Sequence, residues 1–296
     1  MKNLKGIISP ITTPFIDDEI AFDKLKHNIE NLSKINLAGY VVLGSNGESV
    51  SLTKEEKLNI ISFIREHVPS EKIVIAGTGT DSIKETISLT NEASKNGADY
   101  ALIITPSFFK SEMNHSTFIN YYLAVADSVK IPVIIYNVPK FTNVNIHPHT
   151  VAELSEHNNI VGIKNSSEDT ELTARFISGT TDNFYTFVGT GSVLLQGLKD
   201  GASGGILALA NIAPTECINI QVLFHLGKME EAEVLQKKMV TVNKAITATF
   251  GVAGLKAAMD MIGLYGGNPR LPLNPLDEKA KQELKNILIE ASLIES

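Results

Sequence analysis

Val133-Ile134-Ile135-Tyr136 and, one unit later, Ile160-Val161-Gly162-Ile163-Lys164 are the two stretches that decide the fold. Both are short, rich in β-branched residues and free of charge until the last position. A strand of a parallel sheet reads this way because both of its faces are buried. Outward from this pair, similar runs recur at residues 6–8, 39–43, 73–76, 100–104, 185–188 and 204–207. Strand starts fall about 20–35 residues apart, the size of a βα unit. Eight strands alternating with helices leave two architectures, a closed barrel or an open doubly wound sheet. Eight repeats over about 225 residues fit a (β/α)8 barrel well.

The intervening segments carry helical patterns. Residues 22–35 place Leu25, Ile29 and Leu32 on one face. Residues 52–68 open with Thr53-Lys54-Glu55-Glu56, a capping box with Thr53 as the cap. Residues 81–96 run up to Gly97, a C-terminal stop. From about Pro214 onward the chain reads as all helix, clearest at residues 229–247, 254–261 and 277–290. The expected organisation is a barrel over residues 1–225 and a helical extension over residues 226–296, packed on the barrel or on a partner subunit. No linker or low-complexity tract separates the two.

Composition narrows the function. The 296 residues are 43% hydrophobic and 20% charged, as in a soluble globular enzyme. A net charge of −7 speaks against nucleic acid, which needs a basic face. The most apolar long stretch, residues 205–224, contains Asn211, Pro214, Glu216 and Gln221, so no membrane span is expected. Pro10 and Pro14 interrupt the apolar run behind the basic start, which argues against a signal peptide. The single cysteine, Cys217, rules out an intrachain disulfide and suits a reducing, cytoplasmic setting. Its helical surroundings lack a Gly turn or an adjacent His, so it reads as a buried structural residue. The seven histidines show no HxH or HExxH spacing, and His147 and His149 flank Pro148 near a helix start, so no metal site is expected.

In a barrel, chemistry collects where the strands end. Lys164 closes its strand, and alternation puts Val161 and Ile163 on one face with Gly162 and Lys164 on the other. With the bulky pair toward the helices, Lys164 enters the barrel mouth above an empty glycine position. A partly desolvated lysine is a usable amine nucleophile; a lysine at a strand end can equally extend into solvent. Tyr136 ends the preceding strand within reach of Lys164 and could shuttle protons, or simply pack as an aromatic. Gly44-Ser45-Asn46-Gly47-Glu48 offers a hydroxyl and an amide to a carboxylate, or forms an ordinary Asn-Gly turn. Gly77-Thr78-Gly79 and Gly189-Thr190-Gly191 complete no nucleotide-binding fingerprint.

Together, Gly44-Ser45-Asn46-Gly47-Glu48, Tyr136-Asn137-Val138-Pro139 and Gly162-Ile163-Lys164 resemble the dihydrodipicolinate synthase/N-acetylneuraminate lyase superfamily. The likeness extends over nearly the whole chain, from Thr13-Pro14-Phe15 to Arg270-Leu271-Pro272-Leu273. The resemblance implies a barrel with a helical tail, usually a homotetramer, working on pyruvate without metal or organic cofactor. It also implies Lys164 as the Schiff-base lysine, Tyr136 as the proton shuttle and Ser45 and Asn46 as carboxylate binders. Gly189 and Ile206 would line the pyruvate pocket.

Three positions depart from the synthase pattern. Phe108 stands where synthases carry a tyrosine reaching into a neighbouring subunit's site. Phe141 stands where they carry an arginine for the aldehyde substrate's carboxylate. Ser45-Asn46 replaces a Thr-Thr pair. With Phe250-Gly251-Val252-Ala253-Gly254-Leu255-Lys256 and Leu264-Tyr265-Gly266-Gly267, these lean toward the aldolase branches. The expected reaction is cleavage of a 4-hydroxy-2-oxo acid, such as 4-hydroxy-2-oxoglutarate or a 2-keto-3-deoxy sugar acid, to pyruvate and an aldehyde. The alternatives are dihydrodipicolinate synthase, condensing pyruvate with aspartate semialdehyde, and a non-catalytic 2-oxo acid binding protein.

Overall fold

In the computed structural model, which describes residue 2 and residues 4–295, the choice between barrel and open sheet resolves to a closed parallel barrel. Its strands are β1 (Gly6–Pro10), β4 (Gly39–Val42), β5 (Ile73–Gly77), β6 (Tyr100–Ile104), β7 (Val133–Asn137), β8 (Ile160–Asn165), β9 (Tyr185–Val188) and β10 (Gly204–Ile206). Each pairs with its sequence neighbour, and β1 closes the ring by pairing with both β10 and β4. All eight expected runs are strands, with ends differing by a residue or two.

Two cores follow from strand alternation. Side chains such as Ile8, Val41, Ile75, Leu102, Ile134, Phe187 and Ile206 fill the barrel interior. Their neighbours Tyr40, Val42, Val74, Ile103, Ile135 and Ile163 face the surrounding helices. One detail of the expected alternation is wrong. Val133 pairs with Ile160 but Ile134 pairs with Gly162, so Val161 is an extra, bulged residue. Val161 therefore packs against the interior cluster while Ile163 faces the helices. Lys164 still points inward, in register with Tyr136. The glycine position below it is not empty either: a Cβ on Gly162 would lie 2.4 Å from the Tyr185 carbonyl oxygen.

Helix ends obey their local chemistry. Thr53 Oγ1 accepts from Glu56 N and Glu56 Oε2 accepts from Thr53 N, which completes the capping box of helix Lys54–His67. Helix Ile83–Lys95 begins two residues later than expected because Ser82 caps it. The sequence reading missed a small hairpin, β2 (Phe15–Ile16) and β3 (Glu19–Ile20). Asp17 and Asp18 make its turn, both with positive φ as a tight twisted hairpin requires.

The last barrel helix, Pro214–His225, buries Cys217 completely, and burial pushes the thiol pKa up. Beyond it the chain is helical. The expected single helix over residues 229–247 is α-helical only through Lys244, then widens into a π-turn over Ala245–Thr249. Phe250 N–H bonds to Ala245 O there, and Gly251, at φ +59°, lets the chain restart as helix Gly251–Met261. Helix Glu278–Glu290 ends the fold. Among the described residues, no helix is long and apolar enough to cross a membrane.

Candidate active site

The register that pairs Tyr136 with Lys164 places a phenol beside an amine at the C-terminal mouth of the barrel. Both side chains are buried, at 5% and 4% exposure. Lys164 Nζ lies 4.3 Å from the centroid of the Tyr136 ring, within the range of a cation–π contact. Tyr136 Oη is 3.2 Å from Ser45 Oγ, which brings the turn after β4 into the same cluster. An amine, a phenol and a second hydroxyl thus line up on three strand ends.

The Ser45 turn owes its path to the backbone. Leu43 has φ +60°, unusual for a branched residue, and swings the chain out of β4. Its carbonyl comes so close to β5 that a Cβ on Gly77 would sit 2.2 Å from Leu43 O. Residues Ser45–Gly47 then form one 3-10 turn, closed by Gly47 N to Gly44 O and Glu48 N to Ser45 O. Asn46 is half-buried, and its amide nitrogen is 3.5 Å from Pro10 O, at the limit of a hydrogen bond.

Gly189 follows β9 and abuts Ser166, whose Oγ would stand 2.0 Å from a Cβ at that position. Gly189 N donates to Asn165 O, which ties this turn to the residue after Lys164. Ile206 ends β10 inside the barrel and belongs to the same interior cluster as Tyr136. The structure thus joins Lys164, Tyr136 and Ser45 by direct contact, with Gly189 and Ile206 at neighbouring strand ends and Asn46 turned toward β1.

Sequence reasoning assigned no role to two polar networks behind this cluster. Asn137 and Asn165, the residues after Tyr136 and Lys164, are fully buried and amide-bonded to each other at 2.9 Å. Asn137 also reaches Asn145, and Asn165 reaches Thr173. Asparagine at matching positions of adjacent strands was the available signal. In the tail, buried Asn243 donates to Thr190 Oγ1 and Ser192 Oγ and accepts from Gly191 N. It thereby pins the turn after β9, and nothing local in the sequence marks it.

The rim carries exposed aromatics. Phe108 and Phe109 stack edge to face at 5.1 Å and are 77% and 67% exposed. Phe141 is 57% exposed in the short helix Pro139–Thr142. Lys140, beside Phe141, gives its ammonium to Thr247 O in the π-turn. His147 caps helix Pro148–Ser155 by accepting from His149 N. His115, His149 and Glu153 have ligand atoms within 4.8 Å of one another, all three exposed, on the helices His115–Ser128 and Pro148–Ser155.

Residues 3–291 match the model of the Dihydrodipicolinate synthetase family. The chain belongs to this family. Among its relatives, the 4-hydroxy-tetrahydrodipicolinate synthase of Methanoculleus marisnigri is 36% identical over 96% of this chain and 98% of its own length. That of Geotalea uraniireducens is 37% identical over 98% and 99%. Among solved structures, dihydrodipicolinate synthase DapA-2 from Bacillus anthracis superposes with a TM-score of 0.93 at 30% identity, covering 97% and 98% of the two chains. YagE from E. coli K12, a prophage protein of the dihydrodipicolinic acid synthase family solved with pyruvate, gives 0.92 at 29%, covering 98% and 99%. As a dihydrodipicolinate synthetase family member, the protein is a carbon–carbon lyase of the lysine Schiff-base type. The expected preference for aldolase branches finds no counterpart in these relatives' names, which are those of synthases.

Proposed function

We propose that Lys164 forms a Schiff base with pyruvate and that the protein makes or breaks the bond between pyruvate C3 and an aldehyde carbon. The observation that carries this is the buried Lys164 amine against the Tyr136 ring, with Tyr136 Oη bonded to Ser45. Lys164 Nζ adds to the ketone carbon, C2. Tyr136 delivers a proton to the carbinolamine oxygen, and water leaves. The resulting iminium draws electrons from C3. In the cleaving direction the 4-hydroxyl gives its proton to Tyr136, the C3–C4 pair moves to C2–C3, and the aldehyde departs. The enamine takes a proton at C3, and hydrolysis releases pyruvate and the free amine. In the joining direction the enamine carbon attacks the aldehyde. Ser45 and Asn46 hold the pyruvate carboxylate so that the breaking bond stays aligned with the iminium, and Gly189 and Ile206 bound the pocket.

The aldehyde has two readings. The relatives' names support condensation with aspartate semialdehyde, as in a synthase. The rim supports an aldolase acting on a 4-hydroxy-2-oxo acid: Phe108 and Phe141 bring neither a phenol nor a cation, and Lys140 is bonded to Thr247. A homotetramer in the cytoplasm accords with the family resemblance. Borohydride reduction in the presence of pyruvate, followed by peptide mass mapping, tests the chemistry. A pyruvyl adduct on Lys164 is expected; a folded protein with none would leave the binding-protein reading in its place. Parallel assays with aspartate semialdehyde plus pyruvate, with 4-hydroxy-2-oxoglutarate and with 2-keto-3-deoxy sugar acids then decide the partner by relative kcat/KM.

A further inference from the structure

We propose that Glu48 and Lys256 are positioning residues: their buried ion pair sets the Ser45–Gly47 turn at the distance from Lys164 that pyruvate's carboxylate requires. This rests on the Schiff-base reading above and extends it to residues that touch neither Lys164 nor Tyr136.

Glu48 ends the Ser45 turn in the left-handed region, at φ +54°. A glutamate in that conformation needs to be held, and both of its oxygens are. Oε1 accepts from Lys256 Nζ at 2.7 Å and Oε2 from the backbone N–H of Arg270 at 2.8 Å. Lys256 Nζ also donates to Thr13 O at 2.9 Å, and Thr13 Oγ1 donates to Gly47 O at 2.8 Å. The loop therefore closes on itself, from Gly47 through Thr13 and Lys256 to Glu48. Both charged side chains are sealed from water, at 0% and 1% exposure. The Phe15 ring completes the site, with Lys256 Nζ 4.5 Å and Arg270 Cζ 4.4 Å from its centroid.

A buried ion pair is a poor way to gain stability, since an apolar pair of similar volume often does as well. What it supplies is direction, because each of these hydrogen bonds tolerates little error in distance or angle. The turn it directs is the one whose Ser45 Oγ meets Tyr136 Oη. Asn46, the other proposed carboxylate binder, has among the described residues only the long contact to Pro10 as its own side-chain anchor. Residues on opposite sides of the pair are 208 positions apart, so the helical tail fixes a turn made by the first quarter of the chain.

The test uses pyruvate alone, which keeps it independent of the unknown aldehyde. Borohydride trapping is titrated with pyruvate on wild type, Glu48→Gln, Lys256→Met and the double variant. The double variant leaves no orphaned charge and so separates folding from positioning. We expect half-saturating pyruvate to rise about tenfold or more in the folded variants, with the maximal trapped fraction and the Lys164 adduct unchanged. Folded variants with wild-type half-saturation would overturn the proposal whatever their maximum, because loss of folded protein alone lowers only the maximum. An adduct on Lys256 would overturn it as well. Absence of any adduct in wild type is a different result, and it would remove the Schiff-base reading itself.

Discussion

Lys164 and Lys256 are both buried lysines near the barrel mouth, and they differ in what meets the nitrogen. Lys256 has a carboxylate at 2.7 Å, a carbonyl at 2.9 Å and an aromatic ring beneath it. Burial pulls its pKa down while Glu48 pulls it back up. Lys164 has an aromatic ring at 4.3 Å whose own hydroxyl leads on to Ser45. The first nitrogen is committed to acceptors on three sides. The second faces the ring of the phenol proposed above as its proton relay. Burial alone therefore does not make a lysine a nucleophile; its neighbours decide.

The sharpest break of this comparison is to remove each nitrogen in turn. Lys164→Met should abolish the pyruvate-dependent borohydride adduct, while Lys256→Met should keep it at saturating pyruvate; mass mapping reads both. The next effect is on Tyr136. Tyr136→Phe keeps the ring under Lys164 but removes the proton relay, and a fall of about 10²–10⁴ in turnover is expected from losing a general acid–base group. Single-turnover kinetics should show imine formation itself slowed. A Tyr136→Phe enzyme with wild-type imine formation would leave the phenol no part in that step.

On stability the order of the two lysines reverses. Lys256→Met leaves Glu48 buried without its partner, and a loss of about 3–5 kcal/mol is expected, against much less for the Glu48→Gln/Lys256→Met double. Urea unfolding monitored by circular dichroism measures both. The smallest effect concerns the outer end of the same network, where Arg270 bonds both oxygens of Glu56. The Arg270 guanidinium holds the Glu56 carboxyl below its usual value of 4.5. The unfolded state then binds its proton first, so this stabilisation is complete above 4.5 and is lost as pH falls through the lower folded value. Because Glu56 is partly solvated, about 1 kcal/mol is at stake. Thermal melts from about pH 6 to pH 3 should fall less steeply for Glu56→Gln than for wild type. Parallel curves would mean the pair is screened to nothing.

The same contrast separates what was legible in the sequence from what was not. Lys164 and Tyr136 each end an apolar run, so their place at adjacent strand ends could be read directly, while the inward aim of Lys164 stood beside an equal reading into solvent. The eight strands were legible for the same reason, since burial on both faces leaves a run without charge. Val161 was misassigned because a bulge depends on register with β7, which no single strand reveals. The Phe15–Ile20 hairpin was hidden in two-residue strands, and the π-turn at Ala245–Thr249 breaks no composition rule. Glu48 was read only as the end of the Gly44–Glu48 turn, and Lys256 only as the last residue of the Phe250–Lys256 stretch. Their partnership is a tertiary fact, as is Asn243 reaching Thr190. At the rim, Phe108 and Phe141 were legible as departures from a pattern, whereas the relatives' names point to the synthase; the paired assays weigh one against the other.

The clamp between Glu48 and Lys256 also sets an order of events during synthesis. A ribosome adding about 5–20 residues per second needs roughly 10–40 s to travel from one partner to the other. Tyr136 and Lys164 are made partway through that interval, and until it ends the carboxylate of Glu48 lacks the Lys256 ammonium that receives it and must stay hydrated. A nascent chain halted before Lys256 would carry the reactive amine without the clasp that shapes its binding turn. Full affinity for pyruvate should therefore emerge only once Lys256 and the helix that carries it are in place, so the clamp ties the binding turn to a segment translated long after it.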